Sequence, residues 1–164
     1  MSKKTIQVGG KLPEATLRRM TEKGPEAVQT TGFFRGRKVV LFAVPGAFTP
    51  TCHNDHLPSF VKNAAAIKAK GAKEIVCVAV NDPFVMGAWG RSVPGAEGIT
   101  FLSDGNAEFT KAIGMDFDGS GFGLGVRSRR YAMIVDDGKV AALEVEESPG
   151  ACSISSGSEI LKKL

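Results

Sequence analysis

Two short apolar segments separated by a helical pattern constrain the fold of this chain more than any other feature. The segments KVVLFAV (38–44) and EIVCVAV (74–80) are continuous, rich in β-branched residues and as long as buried strands usually are. Between them, apolar residues recur at helical spacing over 53–71, and Gly71 supplies a stop at the end. A strand, a helix and a second strand in this order predict a parallel crossover.

The remaining segments predict that the crossover lies within a larger mixed sheet. Residues 15–20 and 26–30 flank a Gly-Pro turn and are expected to pair as an N-terminal hairpin. RYAMIV and KVAALEV flank DDG, which indicates a second antiparallel hairpin. The same signals predict a helix that starts after Asp82, a strand at 98–104, a short helix at 106–114, a flexible glycine-rich loop at 118–125 and a last helix in SSGSEILKKL.

These elements indicate an α/β fold of the thioredoxin-like type. We expect a mixed β-sheet flanked by helices on both faces, with an N-terminal β-hairpin extension. The length of 164 residues, 43% of them hydrophobic, suits one domain over 1–164. A chain of about 150 residues buries roughly two-thirds of its unfolded surface, so disulfides are not needed for folding.

Charge and cysteine usage narrow the possible partners. The formal net charge is +4, but the basic residues are dispersed, whereas nucleic-acid binding favours a basic stripe with interleaved aromatics. Only 127–131 comes near such a stripe, so we expect no nucleic-acid partner. No apolar segment approaches the roughly 18 residues that span a bilayer, so we expect no membrane partner. Three cysteines without Cys-x-x-Cys, behind a start that lacks an apolar leader, predict a cytoplasmic protein with reduced thiols.

The segment VPGAFTPTCHNDHLP (44–58) carries the residues best suited to chemistry. It follows a strand and enters a helix, so Cys52 is expected in the first helical turn. Unpaired N–H groups and the helix dipole favour an anion there, and thiols in such positions are more acidic than free cysteine. Pro45 would shape the floor of a pocket, and Thr49 would bring its hydroxyl beside the sulfur.

Other interpretations of Cys52 carry less weight. A buried structural cysteine is what we expect of Cys77 inside its apolar strand, but the neighbours of Cys52 are turn formers and polar groups. A zinc site on Cys52, His53 and His56 would lack a fourth ligand. In a Cys-His hydrolase His56 could reach the sulfur, yet the sequence indicates no oxyanion hole and no Asn or Asp to orient the histidine. Both histidines are expected on a solvated turn.

The segment Pro45 to Cys52 resembles the active site of the peroxiredoxins, whose pattern is Pro, three residues, Thr or Ser, two residues, Cys. The longer string PGAFTPTCHNDHLPSF is similar to the type-II, or peroxiredoxin-5, branch of that family. The strings VNDPFVMGAWG and VRSRRYAMIVDDGKV fit the same branch in the expected order. The resemblance covers nearly the whole chain.

This resemblance implies thiol-dependent reduction of hydrogen peroxide and organic hydroperoxides, without a cofactor, metal or haem. It assigns Cys52 as the peroxidatic cysteine, which becomes a sulfenic acid. Thr49 corresponds to the hydroxyl that bonds thiolate and peroxide, and Pro45 to the residue that shields the pocket. Arg127, the first arginine of VRSRR, matches the family's active-site arginine, and a guanidinium there would favour the thiolate.

The residue that resolves the sulfenic acid stays open at this point. Cys152, in SPGACSISS, resembles the resolving cysteine of animal-like members, although the spacing of its segment departs from theirs. Cys77 has the position that plant-like members are thought to use. We favour Cys152, because a Gly/Pro/Ser loop can move whereas a central strand would have to unfold locally. Direct attack by an external thiol is the third possibility.

The resemblance also implies partners. Thioredoxin, glutaredoxin or glutathione would act as reductant, and a homodimer would pack near the active-site loops. Phe48, Phe84 and Trp89 are candidate dimer contacts, although Phe84 and Trp89 could equally fill the core face of their own helix. The alternative function is a redox-sensing or chaperone-like interaction protein whose cysteine oxidises without efficient turnover.

Overall fold

The fold is a seven-stranded mixed sheet with helices on both faces and a separate two-stranded sheet. A computed structural model describes residues 5–148 and 150–164. The strands are β1 (Thr16–Thr21), β2 (Gly24–Gln29), β3 (Lys38–Ala43), β4 (Glu74–Ala79), β5 (Thr100–Ser103), β6 (Asp116–Asp118), β7 (Val126–Ser128), β8 (Tyr131–Asp136) and β9 (Lys139–Val145). The helices are α1 (Thr30–Phe34), α2 (Leu57–Ala69), α3 (Pro83–Ser92), α4 (Glu108–Ala112) and α5 (Gly157–Leu161).

The main sheet has the strand order β2-β1-β5-β4-β3-β8-β9. The three central strands β5, β4 and β3 are parallel, and the strands outside them are antiparallel to their neighbours. The predicted crossover from β3 through α2 to β4 is therefore confirmed, as are the N-terminal hairpin and the β8–β9 hairpin. In the latter, Asp137 and Gly138 have φ of 49° and 79°. Two successive positive φ values are the hairpin geometry that Asp-Gly favours.

Alternating residues of the central strands divide the core into two layers. In β3, Val39, Leu41 and Ala43 pack on the face covered by α1 and α4. Val40 and Phe42 pack on the opposite face, beneath α2, α3 and α5. Because both faces are covered, the central strands are apolar throughout, which is why their sequence lacks an alternating polar pattern.

Two segments differ from their predictions. The second strand of the N-terminal hairpin was expected to include Thr30, but that residue begins α1 and its hydroxyl donates to the Pro13 carbonyl. The expected glycine-rich loop is bounded by a short hairpin, in which β6 pairs with β7. Within it, Gly119 donates its N–H to the Gly125 carbonyl, so paired backbone groups give this segment a defined conformation.

Helix α3 begins as the sequence predicts, whereas α2 is preceded by a turn that the sequence did not predict. Asp82 accepts a hydrogen bond from the Val85 N–H and caps α3, with Pro83 in the first turn. Helix α2 is preceded by a π-helical turn over Cys52–His56. Within the described ranges 5–148 and 150–164, no helix is both long and apolar enough to cross a membrane.

Candidate active site

Cys52 opens the π-helical turn and is fully buried. Thr51 already has helical dihedral angles, and the Leu57 N–H donates to the Cys52 carbonyl across five residues. Pro58 follows directly and has no N–H to give to the carbonyl of Asn54, which weakens regular α-helical bonding at this point. The structure thus confirms that Cys52 lies where the chain enters the helix. Single π turns of this kind occur frequently at functional sites.

The guanidinium of Arg130 lies against the cysteine sulfur. Its Nη2 donates to Sγ of Cys52 at 3.0 Å, and Arg130 is 2% exposed. The arrangement follows from sheet register: Tyr131 pairs with Ala43, the last residue of β3, so Arg130 lies beside the start of the active-site loop. Tyr131 packs on the α1 and α4 face and Ala132 on the α2 face, and alternation puts Arg130 on the α2 face as well.

This placement corrects the assignment of Arg127 as the arginine at the sulfur. Arg127 lies on β7, and its Nη1 donates to the Pro45 carbonyl at 3.1 Å while its Nε donates to the Leu124 carbonyl at 3.0 Å. A Cβ on Gly46 would lie 2.6 Å from Nη1 of Arg127, so the absence of a side chain at Gly46 permits this approach. Arg127 therefore fastens the β6–β7 hairpin to the active-site loop.

The loop from Pro45 to Thr49 is held by short polar contacts. Pro45 is buried, and Thr49 is partly buried. The Thr49 hydroxyl donates to the Gly46 carbonyl at 2.7 Å, and the Ala47 N–H donates to Oδ1 of Asn81 at 2.9 Å. Since the Thr49 proton points to a carbonyl, the lone pairs of its oxygen remain able to accept a proton donor from a substrate.

His56 is fully buried, so the expectation that both histidines lie on a solvated turn is wrong for this one. Its Nε2 lies 2.9 Å from the Ser155 carbonyl, and its Nδ1 lies 2.9 Å from Nη1 of Arg130. A carbonyl only accepts and a guanidinium only donates, so the ring must carry its proton on Nε2. Burial, with the charge of Arg130 as the second cause, lowers the pKa of His56 to about 3 and keeps the ring neutral.

His53 takes part in an aromatic cluster beside the site. Its Nδ1 accepts from Nε1 of Trp89 at 2.9 Å, and its ring stacks on Phe48 at 5.9 Å between centroids. Trp89 is fully buried in the core, which excludes it as an exposed dimer contact. Phe48 has a positive φ of 66°, an uncommon conformation for a side chain of this size.

These contacts bear on the two alternative chemistries considered for the segment. The Nδ1 lone pair of His56 accepts from Arg130, and that of His53 accepts from Trp89. Neither Nδ1 is therefore placed to act as a base towards the Cys52 sulfur. Within 5–148 and 150–164, no group of three or more His, Cys, Asp or Glu side chains is placed to hold a metal ion.

Cys77 lies in the central strand β4, opposite Phe42 of β3 and Phe101 of β5. It is fully buried in the same core layer as Cys52, and both thiols are free. Burial raises the pKa of the Cys77 thiol, and the nearby Cys52 raises it further, while Arg130 opposes the shift. Strand hydrogen bonding on both sides fixes the backbone of Cys77 in the native sheet.

Cys152 lies on the segment between β9 and α5, is partly buried and is also free. Burial raises the pKa of its thiol, and the charge of Arg130 opposes that shift. Contacts on either side of Cys152 hold it near the π-helical turn that carries Cys52. The Thr51 hydroxyl donates to the Gly150 carbonyl, and the N–H of Gly157 in α5 donates to Oγ of Ser59 in α2, both at 2.9 Å.

Comparison with known proteins gives the family. Residues 7–161 match the family described as Redoxin. Peroxiredoxin-2E-2, chloroplastic, of Oryza sativa subsp. japonica is 52% identical over 165 residues, covering 98% of this chain and 73% of the relative. Peroxiredoxin-2B of Arabidopsis thaliana is 44% identical over 160 residues, covering 97% of this chain and 98% of the relative.

Solved structures of peroxiredoxins are similar to this chain in both sequence and fold. Reduced Prx3 from Vibrio vulnificus, in complex with H₂O₂, is 49% identical with a TM-score of 0.92, covering 97% of this chain and 99% of that one. Peroxiredoxin 5 from Alvinella pompejana is 37% identical with a TM-score of 0.84, covering 96% of both chains. Relatives this close over the full length confirm the thioredoxin-like fold and do not favour the redox-sensing alternative. The chain therefore belongs to the Redoxin family, in its type-II peroxiredoxin branch, and is a thiol-dependent peroxidase.

Proposed function

We propose that Cys52 is the peroxidatic cysteine of this peroxidase and that Arg130 supports its reaction. The observation that carries the proposal is the 3.0 Å contact from Nη2 of Arg130 to Sγ of Cys52. A guanidinium at hydrogen-bond distance favours the thiolate, which is the nucleophilic form of cysteine. A second arginine, Arg127, holds the active-site loop through the Pro45 carbonyl, and we propose no contact between it and the sulfur.

In the proposed reaction the Cys52 thiolate attacks one oxygen of a hydroperoxide. An S–O bond forms as the O–O bond breaks, so the sulfur loses two electrons and becomes a sulfenic acid. The departing oxygen takes up a proton and leaves as water or as an alcohol. The positive charge of the Arg130 guanidinium, held at the sulfur, favours the negative charge that develops on this oxygen, which is the main catalytic contribution expected of such a group.

Thr49 and Pro45 keep the roles that the family resemblance implies. The Thr49 hydroxyl donates to the Gly46 carbonyl, so its oxygen is available to accept the O–H of the hydroperoxide and orient it. Pro45 is buried and offers no N–H, so it shields the sulfur from water on one side. Its carbonyl is tied to Arg127, which keeps this part of the wall in place.

Replacing each cysteine by serine separates these roles. Cys52→Ser is expected to abolish steady-state peroxidase activity, whereas Cys77→Ser and Cys152→Ser should still undergo one round of oxidation at Cys52. Activity is measured with hydrogen peroxide and with cumene hydroperoxide, and circular dichroism verifies the fold of each variant. Turnover that persists in Cys52→Ser would show that another residue carries the reaction.

For the resolving step we propose Cys152 first and Cys77 second. Cys152 lies on a loop packed against the start of α2 and requires only that loop to move. Cys77 is favoured by its place in the same core layer as Cys52, but its backbone is paired with β3 and β5, so any movement of Cys77 towards Cys52 would require β4 to open locally. Mass-spectrometric mapping after one equivalent of peroxide decides: a Cys52–Cys77 disulfide in the wild type would overturn our preference.

We propose that thioredoxin, glutaredoxin or glutathione returns the enzyme to its reduced form in the cytoplasm. An odd number of cysteines without Cys-x-x-Cys supports a reducing compartment. Coupled assays with each reductant at equal thiol concentration rank them. If none sustains turnover above the rate of free dithiothreitol, this assignment of the reductant is wrong.

We also propose a homodimer that forms over the active-site loops. Phe48 is 50% exposed and Phe84 is 61% exposed in the single subunit, and exposed aromatics are typical of protein interfaces. Trp89 is excluded from this surface by its burial. Sedimentation at micromolar concentration tests the proposal, and a particle of single-subunit mass would contradict it.

A further inference from the structure

Glu146, directly after β9, is a buried carboxylate that binds Ser153 and Ser155. It is 4% exposed, and its N–H donates to the Arg130 carbonyl at 2.9 Å. Its carboxylate accepts four hydrogen bonds, from the N–H and the hydroxyl of Ser153 and from the N–H and the hydroxyl of Ser155. Burial alone would raise the pKa of Glu146, but these hydrogen bonds outweigh it and hold the pKa below its usual range.

The carbonyl of Ser155 points away from Glu146 to His56. From there a continuous chain of contacts reaches the sulfur. The Ser155 carbonyl accepts from Nε2 of His56 at 2.9 Å, and Nδ1 of His56 accepts from Nη1 of Arg130 at 2.9 Å. The other terminal nitrogen of the same guanidinium donates to Sγ of Cys52 at 3.0 Å. Each of the groups in this chain is buried.

We propose that Glu146 and His56 are positioning residues that, through Ser155, set the orientation of Arg130 on the Cys52 sulfur. Glu146 fixes Ser155, the Ser155 carbonyl selects the His56 tautomer, and that tautomer fixes one edge of the guanidinium. The inference rests on the proposed function, since it takes the Cys52 thiolate as the reacting group.

The direction of the hydrogen bonds explains why the tautomer matters. A guanidinium has only donors, so it needs an acceptor at Nδ1 of His56. With the proton on Nδ1 instead, an N–H would face the N–H of Arg130, and the guanidinium would have to turn away. The Ser155 carbonyl excludes that state, because it requires a proton on Nε2. The guanidinium is planar, so fixing Nη1 also fixes the direction of Nη2 towards the sulfur.

A neutral histidine suits this role better than a charged one. The pKa of His56 of about 3 means that the ring stays an acceptor at Nδ1 over the working range of pH. The aromatic rings of Phe42 and Phe60 lie 5.0 Å and 5.5 Å from the imidazole, between ring centroids, and keep its plane fixed. Rotation of the ring would break both contacts at once.

A double-mutant cycle on Glu146→Gln and His56→Leu tests the coupling. Two quantities are measured for each protein: the pH midpoint of Cys52 alkylation by iodoacetamide, read from the Cys52 peptide by mass spectrometry, and the second-order rate constant with hydrogen peroxide. Glu147→Gln is the matched control, because Glu147 is adjacent and exposed. Thermal melts establish that each variant is folded at the assay temperature.

We expect Glu146→Gln to raise the alkylation midpoint by about one pH unit and to slow the peroxide reaction roughly tenfold, with Glu147→Gln unchanged. His56→Leu should have an effect at least as large. The double variant should match His56→Leu, because both residues act through one chain of contacts. If Glu146→Gln does not fold, the double variant Ser153→Ala/Ser155→Ala replaces it, with the same direction expected.

Two results would overturn the proposal. One is a folded Glu146→Gln, or its serine replacement, with the midpoint and rate of the wild type. The other is an effect of Glu146→Gln that adds in full to that of His56→Leu, since additive effects indicate independent sites. Alkylation needs no peroxide, so a wild type that hydrogen peroxide fails to oxidise would refute the proposed function and still leave the coupling measurable.

Discussion

Arg127 and Arg130 are separated by two residues, and their guanidinium groups contact different parts of the site. Arg130 bridges His56 and the Cys52 sulfur, which requires two nitrogens in one plane. Arg127 contacts only backbone carbonyls, at Pro45 and Leu124, among the contacts described above. A lysine keeps the charge but offers one compact ammonium. At 127 it could keep a bond to one of the two backbone carbonyls, away from the sulfur, whereas at 130 it could not contact both His56 and the sulfur in the same geometry.

We therefore expect Arg130→Lys to lower kcat/KM for hydrogen peroxide roughly 100-fold, the loss typical of removing one donor that stabilises developing charge. Arg127→Lys should lower it only a few-fold. The measurement is the second-order rate constant of the reduced enzyme, with melting temperatures as the control for folding. A loss in Arg127→Lys as large as that in Arg130→Lys would contradict these assignments.

At the scale of elements, the active-site loop and the β6–β7 hairpin meet at Gly46. A Cβ there would lie 2.6 Å from Nη1 of Arg127 and 3.2 Å from Cγ2 of Thr49. Arg127 is flexible at its far end, so the side chain can move aside while the backbone stays in place. The expected cost is therefore the bond to the Pro45 carbonyl, and with it the fixed position of the loop.

Gly46→Ala is expected to lower the free energy of unfolding by about 1 kcal/mol, since one charged hydrogen bond that is only partly buried is lost. Peroxidase activity should fall several-fold, because Thr49 and Pro45 shift with the loop. Gly121→Ala is the control, as a Cβ at Gly121 has nothing within 4 Å. Urea unfolding and steady-state kinetics give both quantities. Equal effects of the two substitutions would refute a specific role for Gly46.

At this scale it is also clear which features the sequence predicts and which it does not. The crossover around α2, both long hairpins and the place of Cys52 follow from local patterns, because apolar runs, helical spacing and Asp-Gly turns act over a few residues. Arg130 and His56 could not be chosen this way, since their contacts depend on the register of β8 against β3 and on a loop about a hundred residues away. The one usable signal was that Arg130 directly precedes a buried strand, as a polar residue at the edge of the sheet.

For the molecule as a whole, the buried site makes stability depend on pH. His56 has a pKa of about 3 in the fold, against an ordinary value of 6.5, so the unfolded chain binds a proton that the native site rejects. The stabilising contribution is fully present above pH 6.5 and is lost as pH falls towards 3. Arg130 and Glu146 are the charged groups that face the ring, and the lowered pKa of Glu146 acts in the same direction at lower pH.

The free energy of unfolding is therefore expected to fall by up to about 1.4 kcal/mol for each pH unit below 6.5 from His56 alone. His56→Gln removes the titrating ring and should flatten the dependence between pH 6.5 and 5, where Glu146 contributes little. Urea denaturation at several pH values provides the test. A slope in His56→Gln equal to that of the wild type would show that other groups govern acid stability.

The central claim, that Cys52 is the residue oxidised by peroxide, is tested most directly by a single turnover. Reduced protein is mixed with one equivalent of hydrogen peroxide, and Trp89, which is hydrogen-bonded to the residue after Cys52, reports the reaction by its fluorescence. Dimedone added during the reaction traps sulfenic acid for mass spectrometry. Our account predicts oxidation many orders of magnitude faster than that of free cysteine, with the adduct confined to Cys52. Oxidation at the rate of free cysteine, or an adduct on Cys77 or Cys152 instead, would contradict it.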